Sequence, residues 1–306
     1  MPIRYCMLDN RILRQGEVTV SALSPALLYG DSLFETLPVV ETVPVFLAAH
    51  LARLNFSAQA LGYGTRLKEG RVRVAIDNLL TGNLLDHGRL RLTLFRGQPL
   101  QGLETALQAD HELAPASVEA PPEHLLIQVA PLAGRAPCAA GLARVNNRHL
   151  DPLARHKTGN RLFYRLFRHW DVGGTASGLW LHPHQEDDRE VLVADEADRL
   201  LEGTVSNLFL VLDGRAVTPP RELGILPGII RGRVLEDGNL PAEAGEIRLE
   251  DLERATEAFL TNSVVGVRPL TRIGGRVFAE VPGPVTRRVM ASLEDQILRD
   301  IAPLLP

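Results

Sequence analysis

The stretch LAGRAPCAAG, residues 132–141, divides the chain. It holds two glycines, a proline and four alanines with no hydrophobic period, the composition of a linker between domains. Before it, RLRLTLF (89–95) alternates like a half-buried strand, and HLLIQVAP (124–131) reads as the last strand of that half. Residues 3–8 predict another strand, with 12–20 as its partner. In ALLYGDSLFETLPVV (26–40), Gly30-Asp31 marks a turn and Leu33 to Val40 a buried strand, broken or bent at Pro38. From Ala48, the residues Leu51, Leu54, Ala58 and Leu61 keep helical spacing up to Gly62, and a second helix is predicted over 69–81. Residues 98–123 read as an irregular connection.

Beyond the divide, a short strand and a loop precede a helix over about 159–171, striped by Leu162, Phe163, Leu166, Phe167 and Trp170. Strands are predicted at 178–182, 190–195, 206–212, 257–262 and 267–273, a helix near Gly228, and an amphipathic helix over 284–302. The reading is two mixed α/β domains, 1–131 and 142–306, joined by 132–141. A cleft between domains is a common place for a ligand.

The 306 residues are 45% hydrophobic and 23% charged, which excludes a disordered or disulfide-built chain. Net charge is −4, so no polycationic surface for nucleic acid is expected. The two cysteines, Cys6 and Cys138, have no metal-ligand spacing, and no metal is expected. Charged residues from Arg4 to Glu17 leave no apolar core for a signal peptide, and no run approaches a membrane span. The expectation is a cytoplasmic globular protein with no membrane partner.

Among 33 basic residues only Lys68 and Lys157 are lysine. Arginine stays protonated, whereas a lysine amine can lose its proton and attack a carbonyl carbon. Lys68 lies among surface charges. Lys157, in RHKTGNRLFYRLF, precedes the striped helix and is the candidate nucleophile. LEGTVSNLFLV (201–211) places Glu202 before small polar residues, where a carboxylate can face a heteroaromatic nitrogen. GILPGIIR (224–231) opens a helix whose first amides, at Ile229 and Ile230, are free to hold a phosphate. TNSVVG (261–266) adds a hydroxyl at a strand end, and Arg53 in HLARL lies beside its helix's apolar stripe. An arginine outside that stripe is expected to be replaceable without loss of the fold.

YGDSLFETL, HLARL, RLTLFRG, HKTGNRL, EGTVSNLFLV, TPPRELGILPGIIR, AFLTNS and GPVTRRV occur here in order, from about residue 8 to 298. In this the chain resembles the class IV pyridoxal-phosphate enzymes, which include branched-chain and D-amino-acid aminotransferases and 4-amino-4-deoxychorismate lyases. The resemblance implies a small N-terminal α/β domain and a larger C-terminal pseudo-barrel domain, with the site between them, in a homodimer. It implies Lys157 as the Schiff-base lysine and Glu202 as the partner of the pyridine nitrogen. Arg53, Ile229, Ile230 and Ser263 would hold the phosphate, Leu226 would pack on the ring, and Phe34 and Arg96 would meet the substrate, Arg96 through a carboxylate.

Three positions depart from that pattern: Ile230 where relatives often carry Thr, Leu37-Pro38 where many have a basic residue, and QPLQG after Arg96-Gly97. The expected activity is transfer of an amino group between an amino acid and a 2-oxo acid. The alternatives are the lyase reaction, releasing pyruvate and 4-aminobenzoate, and a cofactor-binding protein without turnover. A sugar-phosphate or nucleotide binder built on GILPGIIR lacks any G-x-G-x-x-G or P-loop.

Overall fold

A computed structural model describes residues 3–97, 122–132, 136–145, 150–162, 164 and 188–305. The predicted strand at 178–182, most of the helix over 159–171 and nearly all of the 98–123 connection lie outside these residues. Two compact units are present, Met1–Pro131 with Lys157–Arg161, and Leu132–His156 with Leu162–Pro306.

The first unit is a six-stranded antiparallel sheet in the order β2-β1-β6-β5-β3-β4. Its strands are β1 (Tyr5–Leu8), β2 (Arg11–Arg14), β3 (Ser32–Val40), β4 (Val43–Pro44), β5 (Gly88–Arg96) and β6 (Glu123–Ala130). After the one-turn helix α1 (Pro25–Leu28), helices α2 (Leu47–Ala60) and α3 (Glu69–Asn83) cover one face. Strand alternation decides what lies there. Leu33, Leu37 and Val39 of β3 and Leu90, Leu92 and Leu94 of β5 pack with Leu51 and Leu54 of α2 and Ile76 and Leu79 of α3. Phe34, Arg91 and Thr93 take the opposite face.

Two expectations change in this unit. The partner of β1 ends at Arg14, where a 3₁₀ turn over Gln15–Glu17 is closed by the Glu17 carboxylate accepting the Arg14 N–H at 3.1 Å. Pro38 neither breaks nor ends β3, which pairs with β5 through Pro38↔Arg89. The Pro38 carbonyl accepts from Val45 on the side away from β5. Its missing N–H therefore faces the short β4 edge, and no β3–β5 bond is lost.

The second unit holds nine strands, β7 (Cys138–Arg144), β8 (Asp188–Ala194), β9 (Leu200–Gly203), β10 (Asn207–Leu212), β11 (Arg215–Thr218), β12 (Ala242–Ala244), β13 (Glu257–Asn262), β14 (Gly266–Ile273) and β15 (Arg276–Val277). Because β9 pairs with both β8 and β10, the strands β10-β13-β14-β7-β8-β9 close into a ring. This is the pseudo-barrel. Residues 138–141 of the expected linker begin its strand β7, which pairs in parallel with β8 and β14. Small residues fill that position between two strands, and composition alone reads them as loop. Leu208, Leu210 and Leu260 point into the ring, while Phe209 and Phe259 stack outside it with centroids 4.9 Å apart.

Helices α4 (Ile229–Glu236) and α6 (Pro284–Ile301) contact β13, and α5 (Asp251–Arg254) contacts β10. No helix among the described residues is long and apolar enough to cross a membrane. The N-terminus of α6 has no cap of its own, since Gly283 stands at that position. The buried Glu257 carboxylate supplies it, accepting the N–H groups of Val285 at 2.9 Å and Thr286 at 2.8 Å. A Cβ on Gly283 would lie 2.3 Å from the Glu257 Cδ, so only glycine allows the approach. Glu257→Ala is expected to cost about 2–3 kcal/mol in urea unfolding, because two charge-assisted bonds at a helix start go at once. A loss under about 0.5 kcal/mol would show that water caps α6 equally well.

Candidate active site

Lys157 adds its backbone to the free side of β3. Its carbonyl accepts the Phe34 N–H at 2.9 Å, Thr158 bridges Leu33, and the Gly159 N–H donates to the Ser32 carbonyl at 2.7 Å. Gly159 passes so close that a Cβ there would sit 2.0 Å from Ser32 Oγ. The glycine of HKTGN thus lets the lysine segment lie against the sheet. Lys157 is half-buried, with Nζ 4.9 Å from the centre of the Phe34 ring. Arg91 lies over the same ring at 3.8 Å, on the strand face opposite the helices. Burial and the neighbouring Arg89 and Arg161 pull the Arg91 pKa below its ordinary value.

Arg96 lies elsewhere. Its parity on β5 matches Leu92 and Leu94, so it faces the helix side. There its Nη1 donates to Asp31 Oδ2 at 2.9 Å and its Nη2 to the carbonyls of Gly62 (2.8 Å) and Leu61 (3.2 Å), with the guanidinium over the Tyr63 ring. It ties the end of β5 to the end of α2 and to the Gly30-Asp31 turn. The guanidinium over the Phe34 ring is that of Arg91, whose signal in the sequence was its odd position in RLRLTLF.

Arg53 is not on the surface, with 9% of its side chain exposed. It grips Glu35 through both edges of a fork, Nε to Oε1 at 2.7 Å and Nη2 to Oε2 at 2.6 Å. Glu35 occupies a core position of β3 between Leu33 and Leu37, which sequence reading passed over. His50 Nδ1–H donates to Glu35 Oε2 at 2.7 Å. Burial, followed by the opposing pull of Glu35, leaves the His50 pKa below its ordinary value, so the ring is neutral near pH 7. Burial alone would raise the Glu35 pKa, but Arg53 and the His50 bond outweigh it and hold the carboxyl at about 2.

Glu202 belongs to the second unit. From Leu200 to Gly203, β9 uses four residues against three from Ala194 to Leu192 on β8, a bulge. The extra residue turns Glu202 out of the ring interior, onto the face of its cross-strand partner Asn207. There the buried Glu202 Oε2 accepts the Leu226 N–H at 2.9 Å, and Asn207 Nδ2 donates to the Leu226 carbonyl at 2.9 Å. Both polar groups of Leu226 are thereby fixed, and the residue is half-buried.

Two residues later Gly228 precedes α4 with no side-chain cap. The first amides of that helix, at Ile229 and Ile230, have no intrahelical acceptor and form a cradle for an anion. A Cβ on Gly228 would fall 1.9 Å from Asn207 Oδ1, so the loop closes on glycine alone. Arg231, buried and pushed down to about 10 by burial and Arg221, anchors the helix start through the Pro219 carbonyl at 2.7 Å. Ser263 sits half-buried in the turn between β13 and β14, where Asn262 Oδ1 accepts the N–H groups of Val264 and Val265 at 3.0 Å. Thr261 adds a buried hydroxyl with no partner among the described residues, opposite Asn207. A carboxylate, an anion cradle and spare hydroxyls on one unit fit a phosphorylated heteroaromatic ring.

The profile of the family described as amino-transferase class IV matches residues 32–273, a span that holds every candidate residue above. The chain belongs to the class IV aminotransferase family. Enzymes of this family depend on pyridoxal phosphate. This enzyme is 27% identical over 294 residues to a putative branched-chain-amino-acid aminotransferase of Methanocaldococcus jannaschii, covering 94% of each chain. It is 25% identical over 304 residues to the aminodeoxychorismate lyase of Bacillus subtilis, covering 94% of the enzyme and 93% of that relative. Its fold is that of the Escherichia coli branched-chain amino acid aminotransferase, with a TM-score of 0.78, 22% identity, and coverage of 97% and 95%.

Proposed function

We propose that the enzyme transfers an amino group between an amino acid and a 2-oxo acid, using pyridoxal 5′-phosphate. One observation carries the reading: the five residues from Leu226 to Ile230 both seat Glu202 and open α4 with amides that have no partner among the described residues. Such a segment suits a ligand with a basic ring nitrogen at one end and a phosphate at the other. Ile229, Ile230, Ser263 and Arg53 would hold the phosphate, and Leu226 would pack on the ring. Glu202 would accept a hydrogen bond from the ring N–H and favour the protonated ring. Bound pyridoxal phosphate supplies a sink for the electron pair left at the substrate α-carbon. Lys157 would hold the cofactor through its Nζ, and the same Nζ would accept and return the substrate α-proton. Arg91 faces a substrate carboxylate, and Phe34 sets the position of both side chains that share its ring. We further propose a homodimer, with the exposed apolar residues Leu23, Leu27, Leu28 and Tyr29 covered by a second copy.

Borohydride reduction of the holoenzyme followed by peptide mapping is expected to place the cofactor on Lys157. A cofactor found on Lys68 would overturn the assignment. The same preparation, given a panel of amino acids, should accumulate pyridoxamine phosphate and return to its starting spectrum with a 2-oxo acid. Release of pyruvate and 4-aminobenzoate from 4-amino-4-deoxychorismate, with no pyridoxamine phosphate, would instead establish the lyase reaction.

A further inference from the structure

Glu190, on β8, is 3% exposed and takes no part in the chemistry above. Its carboxylate accepts four donors: the N–H groups of Thr204 at 3.0 Å and Val191 at 3.1 Å, the Ser206 hydroxyl at 2.6 Å, and the Thr204 hydroxyl. No basic side chain forms an ion pair with it among the described residues. Burying a carboxylate without a cation is costly, and an apolar side chain would fill the same space at less expense. The acid therefore calls for a reason other than packing.

That reason lies in where the donors sit. Three of the four belong to the turn from Gly203 to Asn207, closed by the Gly203 N–H donating to the Ser206 carbonyl at 2.7 Å. Gly203 leaves room for the acid, since a Cβ there would lie 3.0 Å from Glu190 Cδ and 2.8 Å from Ser206 Oγ. The turn has Glu202 on one side and Asn207 on the other, the two residues that hold Leu226 by its N–H and its carbonyl. A turn free to rock would move both. We propose that Glu190 is a positioning residue for Glu202: it locks the Thr204–Ser206 turn so that the Glu202 carboxylate stays on the Leu226 N–H and in line with the cofactor ring nitrogen. The proposal rests on the role of Glu202 given above.

The test compares Glu190→Gln with Glu202→Gln, both as holoenzymes. Glutamine keeps the volume of Glu190 but turns one acceptor into a donor, so the turn loses at least one bond. Cofactor release on dilution should then accelerate about tenfold, the effect of one such bond. The pH at which bound-cofactor absorbance changes should move in the same direction as in Glu202→Gln, with kcat lowered and KM little altered. Thr204→Val should reproduce the shift and Thr204→Ser should restore the wild-type values. If Glu190→Gln fails to fold, Ser206→Ala removes one donor and should give a smaller shift of the same sign. A lower unfolding midpoint with release and absorbance at wild-type values, while Glu202→Gln changes both, overturns the role of Glu190 and leaves that of Glu202 standing. If Glu202→Gln changes neither, the cofactor role of Glu202 fails first.

Discussion

Arg53→Ala should destabilise the enzyme by about 3–5 kcal/mol at pH 7, the loss typical of removing one partner from a buried ion pair. Glu35 would remain 1% exposed with only a neutral His50 beside it. The wild-type carboxyl is held at about 2, below its unfolded value of 4.5. A depressed carboxyl stabilises above the unfolded value and loses that contribution as pH falls through the folded one. About 3 kcal/mol should therefore disappear from the wild type between pH 4.5 and 2. In the variant, desolvation is left without its cation, so Glu35 protonates on folding and the deficit should shrink as pH is lowered from 7 to 5. Urea unfolding at several pH values reads both trends. Arg53→Ala/Glu35→Gln should recover part of the loss, since a neutral pair replaces an orphaned charge. A single variant within about 1 kcal/mol of wild type at pH 7 would mean that the pair is solvated in solution. This differs from the sequence expectation that Arg53 is replaceable without loss of fold.

Lys157→Ala should lower turnover by at least 10²–10⁴, the usual worth of one positioned proton carrier, and should abolish borohydride trapping. Its effect on folding should be small, about 0.5 kcal/mol, because the contacts that tie residues 157–159 to β3 are made by the backbone. The two measurements separate chemistry from structure: activity by single-turnover kinetics, stability by thermal unfolding. An added small primary amine should restore part of the rate. Activity within tenfold of wild type would remove Lys157 from the reaction.

The sequence was legible wherever an element was long enough to show its period. The alternation in RLRLTLF and the 3/4 spacing from Leu51 to Ala58 gave β5 and α2 within a residue or two. β4, β9 and β12 are two to four residues long and carry no period to read. The strand β7 was hidden for a different reason, since CAAG has the composition of a loop until neighbours pair with it on both sides. At the site, motifs located the segments but not the direction of their side chains. Arg96 and Arg91 differ by an odd number of positions and so face opposite ways, and only the sheet's packing decides which way is inward. Glu35 and Glu190 gave no signal because a buried acid is recognised by its partners, which lie 18 and 14 residues away.

The closed ring of the second unit has an uneven circumference. Five of its junctions are ladders of two to six paired residues, whereas β9 meets β10 only through Asn207↔Glu202. Strand pairing around this ring is thinnest at that single rung, and the Thr204–Ser206 turn with its bonds to Glu190 closes the seam there. The rung is also where a ligand drawn to Glu202 would bind, and such a ligand would act as a clasp. Amide hydrogen exchange around residues 202–207 is accordingly expected to rise on cofactor loss and to fall on its return.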